Sequence, residues 1–446
     1  MSCCSRPPRR ATTSSRTSRR AARALPSWRK RRRRGDEMSH GAQPGGDKPT
    51  LKRSLTLPLV ALYGLGVTVG AGIYVLVGET VALAGPFAPL SFLLAALVVG
   101  FTAFSYAELS TRLPVSAGAA AFVAAGLRRE WLGQITGLAV TLSGIVSASA
   151  VAIGAGGYLS GLTGLDVSPL AAFTVLAMGA LAWWGITQSV TAAAVITVIE
   201  LAGLFGVVLW ALLVAEPQGI SAAEMIPPLQ GTHWAGIGAA TVLAFFAFVG
   251  FEDIVNIAEE ARDPVHVLPR AIGVTLVVTT LVYVAVVAAV LIAVPLETLA
   301  GSPAPLALVF EGAPTWLSAL FAAVAVVATI NGVLIQIIMA SRVIYGMADR
   351  GQLPAALAQI SPRTRTPTLS TWLVVAMILL LTQLVPIAEL ASYTSQIVLA
   401  VFIFVNLALA AIKLRASEPP AVFSVPLFIP LLGALTSAGL FTVSLL

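Results

Sequence analysis

The sequence predicts an all-α polytopic membrane protein, and three observations support this fold class. The chain is 57% hydrophobic and only 11% charged, whereas soluble globular proteins carry about 25% charged residues. Charge-free stretches longer than the ~20 residues of a spanning helix recur along it. Beyond position 53, the Lys and Arg residues fall only in alternate loops between those stretches. Together these patterns exclude a soluble multidomain protein.

The charge-free stretches predict eleven transmembrane helices. The stretch 167–215 contains one charge, Glu200, and is long enough for two helices with a turn near 185–189. The other nine stretches each supply one span: 54–78, 80–107, 131–165, 225–251, 271–296, 312–341, 366–388, 390–412 and 419–446. We divide the chain accordingly into a tail (1–53), two five-helix units (54–215 and 225–415) and an eleventh helix (419–446).

Loop charges predict the orientation of these spans. Counted from a cytoplasmic N-terminus, every Lys and Arg beyond position 53 falls on the cytoplasmic side. The opposite loops contain only acids, namely Glu79, Asp166, Glu216, Glu224, Glu297, Glu311 and Glu389. Positive loops remain in the cytoplasm, so the pattern predicts a cytoplasmic N-terminus in the cytoplasmic (inner) membrane. A missed helix would scramble this alternation.

The N-terminal tail differs in composition from the rest of the chain. Residues 1–53 contain 16 Lys/Arg and 3 Asp/Glu, with few apolar side chains, and are therefore expected to be disordered. The interpretation we favour is that Met38 is the true start and that residues 1–37 are dispensable. Nucleic-acid binding, anionic-lipid binding and a targeting peptide are the alternatives. Cys3 and Cys4 are adjacent, so no disulfide framework is expected.

Two predicted spans are interrupted by glycine, which weakens helices. Span 1 contains "GVTVGAGIYVLVG" (66–78), and span 6 contains Gly236, Gly238 and Gly250. Breaks in corresponding spans of two halves are typical of inverted-repeat transporters, in which bare backbone contacts the ligand. Tight packing of small residues is the alternative for span 1, but the matching break in span 6 favours a binding site.

The breaks define the expected binding residues. Amides at the start of a half-helix bind carboxylates, and freed carbonyls bind ammonium groups. For the carboxylate of a substrate we expect Thr68, Gly70, Ala71 and Gly72. For its amine we expect carbonyls near Phe246, Ala247, Val249 and Gly250, with Phe248 or Phe251 as a gate.

Three acids lie at membrane depth, where an ionisable residue costs ~2.5–3.5 kcal/mol or more. These are Glu200 in span 5 and the pair Glu252 and Asp253 in span 6. We expect them to take part in ion coupling, with Glu200 as a proton carrier. Two alternatives remain open: Glu200 binds Na⁺ or a cationic substrate, or the acids merely pair with polar neighbours and hold helices together.

Several stretches resemble the amino acid–polyamine–organocation (APC) permeases. The resemblance is carried in order by "GVTVGAGIYVLVGE", "FSYAELSTRLPVSAGAAAFV", "FFAFVGFEDIVNIAEEARDPVHVLPRAI" and "ASRVIYGMADRGQLPAALAQISPRTRTP". It covers roughly residues 52–415 and implies a LeuT-type fold of five plus five inverted repeats with helices 1 and 6 broken. Substrate would then lie between residues 68–72 and 245–251.

The chain departs from the APC pattern in two respects. Members usually have twelve spans with both termini inside, whereas this chain has eleven predicted spans, which suggests a truncated C-terminus. Many members also carry Lys in helix five, where it is associated with proton coupling, and this chain has Glu200 there. The replacement leaves the coupling ion open.

The expected function is that of a secondary active amino acid permease that works by alternating access, with proton symport as the first expectation. An exchanger of polyamines or cationic amino acids is the alternative. An intramembrane enzyme is disfavoured, since the histidines, His40, His233 and His266, lie in the tail or loops. A channel and a non-transporting sensor are further, disfavoured alternatives. No motif indicates a cofactor, metal or nucleic-acid partner, so we expect amino acid, coupling ion and lipid as partners.

Charged residues at the cytoplasmic ends of spans 2 and 6 form a second group of interest. Glu108 and Arg112 lie four residues apart, as ion pairs on a helix do. Glu259, Glu260 and Arg262 end span 6. These residues are candidates for an inner gate, with an ordinary interfacial role as the equal alternative.

Overall fold

The computed structural model describes residues 55–445, except 71, 115–117, 185–189, 229–230, 259–260, 350, 352, 362–363, 365 and 416–420. The basic tail, with Met38 and both cysteines, therefore lies outside the described residues. Within the described part, the chain is helical or irregular apart from an isolated bridge between Leu55 and Ala261. This agrees with the predicted all-α fold.

We number the helices of ten or more residues that the structure describes α1 to α13. Shorter helical turns connect them, including a 3₁₀ segment at Phe251–Ile257. The helices are α1 Leu57–Val69, α2 Gly72–Ala84, α3 Ala88–Arg112, α4 Gly118–Leu127, α5 Glu130–Thr163, α6 Val167–Trp184, α7 Val190–Leu213, α8 His233–Phe248, α9 Pro264–Ala293, α10 Thr315–Asp349, α11 Thr368–Leu384, α12 Ile387–Lys413 and α13 Phe428–Val443.

Eight of the described helical segments are long and apolar enough to cross a membrane. The first of them, Leu57–Arg112, contains α1, α2 and α3. The apolar helices α11 and α13 fall below 18 residues. The chain is therefore a polytopic membrane protein, while the count of eleven spans remains a prediction.

Two features differ from the sequence-based expectation. Helix α4 follows α3 in a region where no helix was predicted, because its ten residues are too few to cross a bilayer. Glu79 was assigned to a loop but lies within α2. The reason is that the broken first span runs from residue 57 to 84, so the turn to the second span falls at Gly85–Phe87.

In both spans 1 and 6, the described helices are interrupted close to glycine. Helix α1 ends at Val69 and α2 begins at Gly72. In span 6, helix α8 ends at Phe248, and the next residue, Val249, is extended. Gly250 then has a φ of 123°, which L side chains rarely adopt. The turn at Gly250 connects the end of α8 to the 3₁₀ segment.

Helix α5 packs along α10 and α12, and its small residues bring neighbouring segments close to it. A Cβ on Gly154 would lie 2.1 Å from the Val75 side chain of α2, and one on Gly157 would lie 2.4 Å from the Pro303 carbonyl. Close approach through small residues is typical of packing within membranes, where lipid gives helices no hydrophobic reason to associate. This packing sets α5 against the broken first span.

A buried ion cluster joins the ends of α3 and α12. The Glu108 carboxylate is 0% exposed and lies 2.7 Å from both Arg112 and Lys413. The backbone N–H of Val425 donates a further bond to it at 2.8 Å. Lys413 also donates to Ser424 at 3.1 Å. One carboxylate thus holds α3, α12 and the segment before α13 together.

We predict that Glu108→Gln lowers the free energy of unfolding by about 3 kcal/mol, because removal of one partner leaves two mostly buried cations without their counter-charge. Thermal unfolding of the purified protein in detergent measures the effect. Glu297→Gln is the control, since Glu297 is exposed. Equal melting temperatures for the two variants would show that the cluster contributes nothing.

Candidate functional site

A cavity lies at the two helix breaks. It is narrow, with about 30 Å³ of free space, and part of it is open to solvent. Backbone and side chains from α1, α2, α5, α8 and α10 line it. The lining residues are Gly66, Val67, Thr68, Gly70, Gly72, Ser147, Val151, Phe246, Val249, Gly332, Ile335 and Gln336. Among the binding residues expected from the sequence, five contribute to this lining: Thr68, Gly70, Gly72, Phe246 and Val249.

The two broken spans touch through backbone atoms. A Cβ on Gly72 would lie 2.5 Å from the Cα of Ala247, and one on Gly250 would lie 2.8 Å from the Val67 side chain and 2.9 Å from its carbonyl. Real Cβ atoms do not approach other atoms so closely. Glycine is therefore required at both positions by the contact between the spans, besides the positive φ of Gly250.

Backbone amides without a partner inside the helix are expected at the first turn of α2. The first N–H groups of a helix have no partner within it and carry the positive end of the helix dipole. Gly72 begins α2 and lines the cavity together with Gly70. This geometry suits a carboxylate. Ala71, the fourth residue expected in this group, lies outside the described residues.

The carbonyls that were expected to bind an amine have internal donors. The Phe246 carbonyl accepts from Val249 N–H at 3.0 Å, and the Gly250 carbonyl accepts from Asp253 N–H at 3.0 Å. The Tyr283 hydroxyl donates to the Ala247 carbonyl at 2.7 Å. A carbonyl oxygen has two lone pairs, so each of these groups retains capacity for one more donor.

The two candidate gate residues do not line the cavity. Phe248 and Phe251 are each 1% exposed. The ring of Phe248 packs edge-on against Tyr283, with centroids 5.1 Å apart, and Phe251 packs in the same way against Tyr106 and Phe402. Phe246 is the aromatic side chain of α8 that lines the cavity.

Sequence reasoning missed the wall of the cavity that faces the breaks. Ser147 and Val151 of α5 contribute to it, with Gly332, Ile335 and Gln336 of α10. The Oε1 atom of Gln336 is buried without a hydrogen-bond partner. A polar Gln in a predicted span was the available signal, whereas nothing in the sequence marks Val151 or Ile335 as lining residues.

Glu200 lies beside the broken first span, outside the cavity lining. Its side chain is 0% exposed, and its carboxylate faces the side chain of Asn331 on α10, but neither carboxylate oxygen forms a well-oriented hydrogen bond with the described residues. The Tyr74 hydroxyl of α2 donates to the Glu200 backbone carbonyl at 2.9 Å. Thr197, one turn earlier on α7, contacts α1 at Gly66.

The acids that follow α8 form hydrogen bonds within their own segment. The Gly250 N–H donates to the Glu252 carboxylate at 2.9 Å, and Asn256 donates to Asp253 at 3.0 Å. Both acids lie beyond the break, and neither lines the cavity. The hydroxyl of Tyr106, close to both, is buried without a hydrogen-bond partner.

The candidate inner-gate charges are only partly described. Glu108 and Arg112 do pair, within the cluster at Lys413. Glu259 and Glu260 lie outside the described residues. The Arg262 backbone N–H donates to the Leu55 carbonyl at 3.0 Å, which attaches the chain before α1 to the chain after span 6. A gating role for these charges stays a prediction.

The fold and the site define a polytopic membrane protein with a cavity at two glycine-dependent helix breaks. A sequence profile described as amino acid permease matches residues 55–446. The chain therefore belongs to the amino acid permease family of the APC superfamily. It is a transporter rather than an enzyme.

Known relatives cover most of the chain. It is 30% identical over 407 residues to the branched-chain amino acid permease BcaP of Bacillus subtilis (strain 168), with 86% of each chain covered. It is 31% identical to the vacuolar cationic amino acid transporter 2 of Arabidopsis thaliana, over 75% of this chain and 54% of that one. The methylthioribose transporter of Bacillus subtilis (strain 168) is 27% identical, over 88% and 87%.

We predict that Gly72→Val abolishes ligand binding while the protein still inserts into the membrane, because its side chain would collide with the Ala247 backbone. Radioligand binding to membranes, normalised to the amount of folded protein, measures the effect. Gly273→Val is the matched control, since a Cβ there meets nothing within 4 Å. Unchanged binding by Gly72→Val would exclude a site at the breaks.

Proposed function

We propose that the protein is a secondary active amino acid transporter that works by alternating access. The single observation that carries this proposal is the cavity at the two helix breaks, which Gly70 and Gly72 line without side chains. Residues 54–215 and 225–415 would form the two inverted repeats of a LeuT-type fold, with 419–446 as an additional helix. The N-terminus would lie in the cytoplasm, and the protein in the inner membrane, since the Lys/Arg loops alternate with acidic ones.

The substrate's carboxylate and amine would be bound by backbone. Amides at the start of α2 suit the carboxylate, and the carbonyls of Thr68 and Phe246 suit the amine. The substrate's side chain would then face the wall that contains Ser147, Val151, Ile335 and Gln336. This wall combines apolar surface with one hydroxyl and one amide group.

The lining favours a neutral amino acid over a cationic one. None of the described side chains that line the cavity carries a charge, and the acids Glu252 and Asp253 accept hydrogen bonds from donors in their own segment. An uncompensated cationic side chain in such a cavity would incur a large desolvation penalty. The branched-chain permease among the relatives is consistent with this choice, whereas the plant relative named for cationic amino acids represents the alternative.

Reconstituted protein is therefore predicted to take up L-leucine with saturation and to take up L-arginine at most weakly. Proteoliposomes with labelled substrate measure uptake, and counter-flow of preloaded leucine distinguishes a carrier from a channel. Liposomes with Gly72→Val provide the background. Uptake of arginine that equals or exceeds uptake of leucine would favour the cationic exchanger.

Glu200 is the proposed coupling residue. Its carboxylate is fully buried, its oxygens form no well-oriented hydrogen bond with the described residues, and it adjoins both the broken first span and Asn331 of α10. A buried carboxylate without a cationic partner is stable when it binds a proton or an ion. In this proposal Glu200 loads and releases a proton as the cavity opens to each side, with Na⁺ as the rival ion.

Glu200→Gln is predicted to abolish pH-driven accumulation of leucine, so that internal and external concentrations become equal, and to preserve counter-flow exchange. The amide retains the shape of the side chain but cannot carry a proton. Uptake driven by imposed pH and Na⁺ gradients measures the coupling, with the exposed Glu311→Gln as control. Wild-type Na⁺ dependence that disappears in Glu200→Gln would favour sodium. Full pH-dependent accumulation by Glu200→Gln would exclude both proton coupling and sodium coupling at Glu200, and Glu252 would be the next candidate.

A further inference from the structure

Tyr283 of α9 joins the ends of both broken helices. Its side chain is 0% exposed, and its hydroxyl lies 2.7 Å from the Thr68 carbonyl and 2.7 Å from the Ala247 carbonyl. Thr68 lies in the last turn of α1, and Ala247 lies in the last turn of α8. One phenol therefore contacts the backbone of both broken spans.

These carbonyls need a donor from elsewhere. The last four carbonyls of a helix have no i+4 amide to bind, and the breaks place such carbonyls in the interior, where an unpaired polar group is costly. Tyr283 has one hydroxyl hydrogen, so the carbonyls of Thr68 and Ala247 share it in a bifurcated hydrogen bond. Its ring is fixed edge-on between Phe92 and Phe248, with centroid distances of 5.8 and 5.1 Å.

The same two segments are already in backbone contact. Gly72 lies against Ala247, and Gly250 lies against Val67. The bond from Tyr283 adds a fixed distance between the ends of α1 and α8, which contacts at glycines alone do not supply. Thr68 itself lines the cavity.

We propose that Tyr283 is a positioning residue that ties the two helix breaks into one unit and thereby sets the geometry of the substrate-binding backbone. The effect on substrate rests on the proposed transport function, but the tie between the breaks does not. Loss of the hydroxyl would release both carbonyls and let the two ends move independently. Substrate binding would weaken, since the backbone groups that receive it would no longer be held together.

Tyr283→Phe is the test, because it removes the hydroxyl and retains the ring. Tyr158→Phe is the matched control, since Tyr158 is equally buried and its hydroxyl donates to one backbone carbonyl, that of Tyr74, at 2.6 Å. Both variants lose a buried hydroxyl–carbonyl bond, so their losses of stability should be similar. Only Tyr283→Phe removes a bond shared by the two breaks.

The first measurement is amide hydrogen exchange of the ligand-free full-length protein in detergent. In Tyr283→Phe, peptides that cover 64–70 and 244–252 are expected to exchange about tenfold faster, and to do so together. In Tyr158→Phe these peptides should exchange as in the wild type. Unchanged hydrogen exchange at the two breaks in Tyr283→Phe, or equal acceleration in both variants, would refute the proposal that Tyr283 holds the breaks together.

The second measurement is the concentration dependence of L-leucine uptake in proteoliposomes. Tyr283→Phe is expected to raise KM about tenfold with a smaller change in maximal rate per folded transporter, and Tyr158→Phe to leave KM unchanged. A purely structural role would lower the amount of folded protein without moving KM, so an unchanged KM in Tyr283→Phe overturns the positioning role. If wild-type protein shows no saturable leucine uptake, leucine is not the substrate. The hydrogen-exchange experiment still tests whether Tyr283 holds the two helix breaks together.

Discussion

The contact between two broken helices is the constraint on which the rest of this structure depends. Backbone can approach backbone as closely as Gly72 approaches Ala247 only where no Cβ intervenes. Both helices end near this contact, and each end leaves amides and carbonyls without partners inside the helix. In a membrane such groups are tolerated only where protein or a water-filled cavity satisfies them. The cavity, the Tyr283 hydrogen bond and the turn at Gly250 each accommodate backbone groups that the helix ends leave without partners.

The surrounding helices satisfy the polar groups with few charges. Tyrosine hydroxyls supply several of the donors near the breaks: Tyr283 serves α1 and α8, Tyr158 serves the Tyr74 carbonyl, and Tyr74 serves the Glu200 carbonyl. A phenol brings a hydroxyl on a large apolar ring, so it can satisfy backbone without a charge at membrane depth. Charged groups gather instead at the end of α3, where Glu108 has two cationic partners and a backbone donor.

Glu200 is the exception to this pattern. It is a fully buried carboxylate whose oxygens lack the hydrogen bonds that Glu108 has. Its position on α7 adjoins α2 through Tyr74 and α10 through Asn331. A fully buried carboxylate is costly in a membrane, and this is the reason why the proposed function assigns ion coupling to Glu200. Glu252 and Asp253, the two acids after α8, accept hydrogen bonds from their own segment. They are therefore weaker candidates than Glu200 for the coupling residue.

The sequence by itself determined the class of fold, the family and the location of both breaks. Hydropathy and glycine positions are local properties, and a charge-free stretch must cross or lie in the membrane whatever its neighbours do. It did not reveal helix α4, because ten residues are too few to cross a bilayer. It did not reveal the extension of the first span past Glu79, because a break changes how many residues a crossing uses. Only the tertiary structure decided that Ser147, Val151 and Gln336 line the cavity, that Phe248 and Phe251 do not, and that Tyr283 joins both breaks. These are contacts between helices far apart in the chain, and a uniformly apolar sequence carries no periodic signal that says which face of a helix meets which neighbour.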